Sequence, residues 1–328
     1  MTAPARFRLY PAALLLSCAA AVITLSLICG SSGIKATAAA RALLGDADSV
    51  TRTVVLGLRL PRLLAALGTG SLLALAGVLL QALFRNPLAD PWLLGVSGGA
   101  AVGAVGAMAL GAALLVVQGA AAAGAFAAVL MVYALGRDGG EARMLLTGIA
   151  VASLCGALVT VLISAADTDR LRGMVFWLAG DLGWAPRPAA SLAAALVAVA
   201  TAVLLARPLN VLASGELRAR SVGLDVTRWR RGLYLAAAAL TGTAVVGAGT
   251  IGFVGLVTPH CARLLFRTSN HRVIAPASAL LGGTLLAAAD LLARTVAAPR
   301  QLPVGAVMAV FGAPFFLLLL KTTRKSHG

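Results

Sequence analysis

Few ionisable side chains interrupt the apolar runs of this sequence, and Asp290 is the clearest of them. Among the 11 acidic residues, it alone lies inside an apolar run, near one end of the run 275–296. A carboxylate within a segment that crosses a membrane is typical of proton relays and of ion-coupled carriers. Asp290 therefore keeps open the hypothesis of a secondary transporter that needs no ATPase, although a single carboxylate supports it poorly.

Metal, redox and nucleotide chemistry have little basis in the sequence. No Gly is followed by Lys, so the chain lacks the G-x-x-x-x-G-K-[ST] phosphate loop of P-loop ATPases. The histidines and cysteines show neither CxxC nor metal-ligand spacing, at positions His260, His271, His327, Cys18, Cys29, Cys155 and Cys261. We predict that this chain holds no metal, no cofactor and no catalytic residue, and that it is not an enzyme.

The elements that position these residues are apolar helices. Of the 328 residues, 60% are hydrophobic and 12% charged, whereas soluble domains carry about 25% charged residues. A membrane span needs roughly 20 mostly apolar residues. Ten such runs lie near 10–29, 59–80, 92–111, 113–135, 144–165, 189–206, 231–248, 252–265, 275–296 and 304–320. We predict an all-α membrane protein of about ten transmembrane helices, with residues 1–328 forming a single domain.

The basic residues indicate how these spans are oriented. With the N-terminus inside, 17 of the 27 Lys and Arg residues fall on the cytoplasmic side and ten outside. The positive-inside rule therefore places both termini in the cytoplasm. The formal net charge of +16 then belongs to loops between spans, so we predict no nucleic-acid partner. The first run exceeds the hydrophobic region of a signal peptide, which predicts a retained first helix.

Four segments place polar residues, glycines or prolines within or beside the runs. They are Arg59–Arg62 with Gly77–Gln81; Arg85–Pro91 leading to Leu94–Ala100; Gly215–Leu224; and Gly249–His260 with Asp290 and Leu302–Gly305. The strings RNPLADPWLLGVSGGA and GFVGLVTPH resemble the FecCD-type permease subunits of ATP-binding-cassette importers for haem, ferric siderophores and vitamin B12. The resemblance runs from about residue 59 to residue 321.

The resemblance implies a type II importer permease in the bacterial inner membrane, surrounded by lipid. Two copies of the chain would form a homodimer, with a periplasmic solute-binding protein outside. Two ATPase subunits, which bind ATP and Mg²⁺, would dock inside. In the family, arginines matching Arg59, Arg62 and Arg294 form salt bridges to the binding protein, and such rim charges steer docking. Arginines that snorkel to lipid headgroups are the alternative.

Two cytoplasmic segments also match functional parts of the family. Asn86 and Leu88 match gate residues of the family members that transport vitamin B12. In those members the other gate residues are a Thr-Ser pair, and this sequence has Glu141 and Ala142 at the matching positions. The closing chemistry therefore stays open, and a turn ended by proline is the alternative. The loop 207–230 matches the coupling segment that fits the ATPase, by which ATP binding would rock the subunits. Its candidate residues are Gly215, Glu216, Arg218, Arg220 and Gly223; Glu216 and Arg220 have the i,i+4 spacing of a helical ion pair.

The segment 167–184 follows the fifth span on the outside. By resemblance it forms a short helix near the mouth of the central path. Its candidate path residues are Arg170, Arg172, Met174, Phe176 and Trp177. They suit an anionic, flat or aromatic solute, and an interfacial aromatic belt is an equal explanation for the two aromatic residues. From the basic pair we expect haem, with cobalamin and ferric siderophores as alternatives.

Overall fold

The computed structural model describes residues 6–137, 140–185 and 187–324. Within these ranges every regular element is helical, which confirms the all-α prediction. The α-helices are α1 (Arg6–Ile28), α2 (Ala36–Leu43), α3 (Ser49–Arg52), α4 (Leu60–Leu83), α5 (Val96–Ala109), α6 (Leu114–Gly136), α7 (Gly140–Ser164), α8 (Thr168–Leu178), α9 (Pro188–Leu204), α10 (Ala206–Ala213), α11 (Glu216–Ser221), α12 (Val226–Ala248), α13 (Val254–Phe266), α14 (His271–Thr295) and α15 (Val304–Arg324). A π-helix at Thr53–Arg59 joins α3 to α4.

Within the described ranges, six helical stretches are long and apolar enough to cross a membrane. They are α1, the continuous stretch Ser49–Leu83, α6, α7, α12 and α14. The helices α9 and α10 also pass this test together, with a bend of 66° between them. Shorter apolar helices are α5, α13 and Val304–Leu318 of α15. These elements coincide with the ten apolar runs, in agreement with the predicted number of spans.

α4 lies at the centre of the bundle because its small residues let neighbouring helices approach closely. A methyl group on Gly70 would lie 2.2 Å from the carbonyl oxygen of Gly282 in α14. A methyl group on Gly77 would lie 1.9 Å from the carbonyl oxygen of Gly255 in α13. Close backbone approach of this kind stabilises helix pairs in lipid, where apolar burial gives little drive. In the most apolar part of the stretch Ser49–Leu83, which contains α4, 83% of the residues are accordingly buried, against 17% in Leu9–Ile28 of α1.

A second group of helices forms around α5. Gly99 of α5 contacts Gly124 of α6, where a methyl group on Gly99 would lie 2.2 Å from the carbonyl oxygen of Gly124. Small residues at this contact therefore let α5 and α6 pack closely. Tyr234 of α12 is buried in the same hydrophobic core. Through this core α5 and α6 pack against α12, and α12 in turn packs against α4.

Candidate functional site

Asp290 lies between two arginines at the predicted outer end of the bundle. Arg62 Nε donates a hydrogen bond to Asp290 Oδ1 at 2.7 Å, and Arg294 Nε lies 2.8 Å from Asp290 Oδ2 without hydrogen-bond geometry. Arg62 also donates to Asp181 at 3.2 Å and to Gln301 at 3.1 Å. The Asp290 side chain is only 2% exposed. The carboxylate is therefore neutralised by neighbours, as a structural ion cluster requires.

Arg59 has a different role from its neighbour Arg62. Its guanidinium donates to the carbonyl oxygens of Leu27 and Ile28, at 2.8 and 2.6 Å, and to the Ser32 hydroxyl at 2.8 Å. The carbonyls at the end of α1 lack helical partners, and a cation there is favoured by the helix dipole. Arg59 thus fastens the end of α1 to the start of α4.

The three arginines predicted to dock a binding protein line one cavity of about 360 Å³. Arg59 and Arg294 are buried, each 4% exposed, whereas the Arg62 side chain is 14% exposed. Sequence reasoning did not associate Asp290, Asp181 or Gln301 with these arginines. The i,i+4 spacing of Asp290 and Arg294 on α14 was the only local signal for the cluster. Docking at these arginines stays a prediction.

A chain of hydrogen bonds between the C-terminal end of α4 and α13 gives Gln81 its partners and compensates for Pro259. Pro259 has no N–H, so the carbonyl of Gly255, four residues earlier in α13, loses its helical donor. The Gln81 amide Nε2 donates to that carbonyl at 3.3 Å and to the carbonyl of Leu256 at 3.4 Å. Arg263 donates in turn to Gln81 Oε1. The polar groups of Gly249–His260 therefore shape the packing of α4 and α13.

The predicted gate residues lie at the predicted cytoplasmic ends of α4 and α7. Asn86 Oδ1 accepts a hydrogen bond from the Leu88 N–H at 2.9 Å, which forms a tight turn after α4. The Leu88 side chain is 44% exposed. Ala142 lies in the first turn of α7 and is exposed, and the side chain of Glu141 lies outside the described part of the structure. Gating by these residues stays a prediction.

The loop that follows Asn86 ends in a capped turn. Asp90 accepts a hydrogen bond from the Trp92 N–H at 2.7 Å, at the start of the 3-10 turn Pro91–Leu94. Desolvation by burial raises the pKa of Asp90 to about 6, although this hydrogen bond acts in the opposite direction.

The predicted coupling segment forms a short helix, α11, with the expected ion pair. Arg220 lies 2.6 Å from Glu216, and Arg230 of α12 lies 3.2 Å from the other oxygen of Glu216. Gly215 and Gly223 flank the helix with φ of 118° and 78°, a backbone region that favours glycine. Arg218 is exposed. Glu216 therefore fastens α11 to α12 through Arg230, while its other oxygen pairs within α11.

A further polar contact, which the sequence analysis missed, connects the same loop to α14. Asn210 of α10 donates to Asn270 Oδ1 at 3.0 Å and accepts from the His271 N–H at 2.9 Å. Asn270 also caps α14 by accepting from the N–H of Arg272 at 3.0 Å. These residues are 60 or more positions apart, so no local pattern connects them.

The predicted path residues lie on α8, but the structure divides them into two sets. Met174 and Trp177 are 0% and 1% exposed and pack in the core. Arg170 donates to the carbonyl of Ala109 at the end of α5, at 2.5 Å. Arg172 is exposed and lies 5.6 Å from the ring centre of the half-buried Phe176. Of the five predicted path residues, therefore, only Arg172 and Phe176 face outward from α8.

Metal binding has no support in the part of the chain that the structure describes. Within it, no group of three or more His, Cys, Asp and Glu residues is placed to hold a metal ion.

The apolar spanning helices make this chain a multi-pass membrane protein, and helix α11 and the arginine-lined cavity lie at its two predicted ends. The chain belongs to the FecCD transport family, whose model matches residues 18–322. It is a multi-pass inner-membrane protein and a transport component.

Among curated proteins, the chain is 45% identical to the cobalamin import system permease BtuC of Halobacterium salinarum over 278 residues, 83% of this chain and 74% of the relative. It is 41% identical to the vitamin B12 import system permease BtuC of Klebsiella pneumoniae over 272 residues, 81% of this chain and 82% of the relative. These relatives do not support the preference for haem and fit the cobalamin alternative better. The engagement of Arg170 with a helix end also weakens the basic entrance on which haem was expected.

Two solved structures share the fold. A metal-chelate type ABC transporter in an inward-facing conformation superposes with a TM-score of 0.82 at 29% identity, covering 94% of this chain and 97% of that one. PsaBC from Streptococcus pneumoniae, in complex with Fab, superposes with a TM-score of 0.59 at 17% identity, covering 79% of this chain and 90% of that one. The first of these supports the type II importer fold, and the second shows the fold alone.

Proposed function

We propose that this chain is the permease through which an ABC importer moves cobalamin from the periplasm to the cytoplasm. The observation that carries the proposal is its 41–45% identity, over 81–83% of its length, to cobalamin and vitamin B12 permeases of an archaeon and of enterobacteria. Haem and ferric siderophores are the competing solutes.

The cytoplasmic surface of α11 suits an ATPase partner. Leu217, within the short helix α11, is 87% exposed, and Val222, directly after that helix, is 63% exposed. Apolar side chains that project from a charged loop favour a protein cleft over water. We therefore place two ATPase subunits, one for each copy of the homodimer, at Gly215–Gly223, with Arg218 and Arg220 at the edge of the contact.

The outer cavity suits acidic side chains of a binding protein. Arg62 is the most exposed of its three arginines, and it is already bonded to Asp290 and Asp181. An incoming carboxylate therefore competes for Arg62 with partners in the chain, while Arg59, whose own partners are neutral, supplies a buried positive charge. Such competition favours orientation and specificity over raw affinity.

The solute path in this proposal runs past α8 and is closed at the cytoplasmic gate. Arg172 and Phe176 present a stacked cationic and aromatic surface at the outer end. Asn86, Leu88, Glu141 and Ala142 form the inner closure, which opens when the subunits rock.

Reconstitution tests the proposal directly. The chain is incorporated into proteoliposomes with the ATPase and binding protein encoded beside it, and uptake is measured with cobalamin, haem or a ferric siderophore on the binding protein. We expect ATP-dependent uptake of cobalamin and at least about ten-fold less of the other two, a difference of about 1.4 kcal/mol. Uptake by the chain alone, or a preference for haem, would contradict the proposal.

A further inference from the structure

An apolar cavity of about 540 Å³ opens between α9, α10 and α12. Two features of the sequence create it. Small residues face it from both sides, namely Gly232 and Ala236 on α12 and Ala198 and Ala202 on α9. In addition, the chain bends by 66° at Leu205, between α9 and α10. Because of this bend, packing does not close the space between these two helices and α12.

The cavity opens toward the surroundings of the bundle. Gly232 and Ala236 are exposed although they lie within an apolar spanning helix. On α9, Val197 and Leu204 are also 67% and 80% exposed. Contiguous exposed apolar surface on a spanning helix marks contact with lipid or with another protein. In the single chain the opening faces outward from the bundle, where the hydrocarbon of a membrane can enter it.

The length of the cavity matches one leaflet. Its lining on α12 runs from Arg228 to Leu240, which corresponds to about 18 Å at the helical rise of 1.5 Å per residue. Half of the hydrocarbon core of a bilayer is about 15 Å thick. A chain that enters beside Arg228 would therefore extend along the cavity to about the membrane midplane.

Cationic and amphipathic groups lie at the cytoplasmic end of the cavity. Arg228 and Trp229 line it. Arg207 is exposed at the start of α10, the helix that lines the cavity through Leu209. Arg228 pairs with Asp225 at 3.0 Å, but its side chain is 88% exposed. An exposed pair is weak, so the guanidinium keeps donors for a phosphate. Basic pockets between helices on this side of a membrane suit anionic headgroups.

We propose that this cavity binds one acyl chain of an anionic phospholipid from the cytoplasmic leaflet, with the lipid phosphate at Arg228. The apolar lining accepts any acyl chain, and the arginine makes the site prefer a net negative headgroup. The bound chain fills the gap at the bend, directly behind the loop that carries α11.

Quenching of Trp229 fluorescence tests the proposal. The purified chain in detergent is titrated with phosphatidylglycerol or phosphatidylcholine that carries brominated acyl chains. The Trp229 signal is the difference between wild type and Trp229→Phe. We expect half-maximal quenching at a mole fraction of phosphatidylglycerol at least three-fold below that of phosphatidylcholine. We expect Arg228→Gln to abolish this preference, and the exposed Arg272→Gln to preserve it.

A second pair of variants separates the cavity from general lipid contact. Gly232→Leu places a side chain in open space within the cavity, and Gly247→Leu places one in open space elsewhere on α12. We expect Gly232→Leu to reduce the quenching by both lipids at least three-fold, with no change in Gly247→Leu. Equal quenching by both lipids in wild type, or no effect of Gly232→Leu, would overturn the proposal. So would Ala236→Cys crosslinks between two copies of the chain, because a second copy would then cover the cavity.

Discussion

Asn210 holds His271 by two contacts to a single oxygen. Its Oδ1 accepts from the His271 N–H at 2.9 Å and lies 2.7 Å from the imidazole Nδ1, which donates in the Nδ1–H tautomer. Because Asn210 lies in the proposed coupling loop and His271 begins α14, this contact connects the loop to a spanning helix that packs on α4.

Replacement of Asn210 should therefore weaken both folding and coupling. In Asn210→Ala, three hydrogen bonds are lost and the His271 N–H is left unpaired, which lowers the free energy of unfolding by about 1–3 kcal/mol. In proteoliposomes, less solute should enter for each ATP hydrolysed. The matched control is Ser214→Ala, whose hydroxyl bonds to the carbonyl of Val211 in its own turn. Equal behaviour of the two variants would contradict a coupling role for Asn210.

Glu216 should matter for transport far more than for stability. Its ion pairs with Arg220 and Arg230 are partly exposed, so Glu216→Gln should change the free energy of unfolding by less than about 1 kcal/mol. If α11 transmits force to the subunits, solute uptake should fall at least about five-fold. Asp225→Asn is the control, since asparagine keeps the N-cap of α12. Unchanged uptake in Glu216→Gln would argue against coupling at α11.

Asp290 should prove structural and not proton-coupling. In Asp290→Asn, Arg62 and Arg294 are left with like charges in a buried site, which costs about 3–5 kcal/mol. The double variant Arg62→Gln/Asp290→Asn should lose less stability than the sum of the single variants. A folded Asp290→Asn protein should still require the ATPase for uptake. Loss of all uptake from a stably folded Asp290→Asn protein would favour the secondary-transporter hypothesis.

The contact of Gly77 with Gly255 should tolerate no side chain. Gly77→Ala places a methyl group 1.9 Å from the Gly255 carbonyl oxygen, so α4 and α13 must separate. We expect overpacking to cost about 1–3 kcal/mol, measured as a lower midpoint of thermal unfolding in detergent. Gly247→Ala meets open space and should be neutral or slightly stabilising. Equal midpoints for the two variants would contradict the close packing.

The stability of the chain should depend on the ionisation of Asp90. Burial raises its pKa to about 6, from an ordinary value of 3.8. The folded chain therefore binds this proton more tightly than the unfolded chain, so stability falls as pH rises through that interval. Asp90→Asn should flatten the decline of the unfolding midpoint between about pH 4 and pH 6.5. An unchanged slope in Asp90→Asn would contradict the desolvation of this carboxyl.

Local patterns predicted much of this fold. The apolar runs and the pairing of Glu216 with Arg220 depend on neighbours within a few residues, and both were confirmed. The short helix after the fifth span was implied by the family resemblance, and the structure has it as α8. The orientation of α8 was not accessible in this way. Whether Met174 and Trp177 face a path or the core depends on where α5 and α12 lie, and that is decided by packing.

Contacts between distant helices could not be predicted from the sequence. The partners of Arg62 lie 119 and 228 residues away, and those of Gln81 lie 174 or more residues away. The predicted topology placed ten Lys and Arg residues outside, but it did not show which of them bond to groups within the chain. Arg59 illustrates the difficulty, because its partners are backbone carbonyls, which carry no residue-specific signal.

The contact between Arg62 and Asp290 also has a consequence for how the protein is made. At about 5–20 residues per second, a ribosome needs roughly 11 to 46 seconds to add the 228 residues between them. During that time α4 of the nascent chain lies in the bilayer without its final neighbours, and Arg62 lacks its buried partner Asp290. Biogenesis therefore depends on an insertion partner or on lipid headgroups to shelter this arginine, and truncated chains that end before α14 should be targets for membrane proteases.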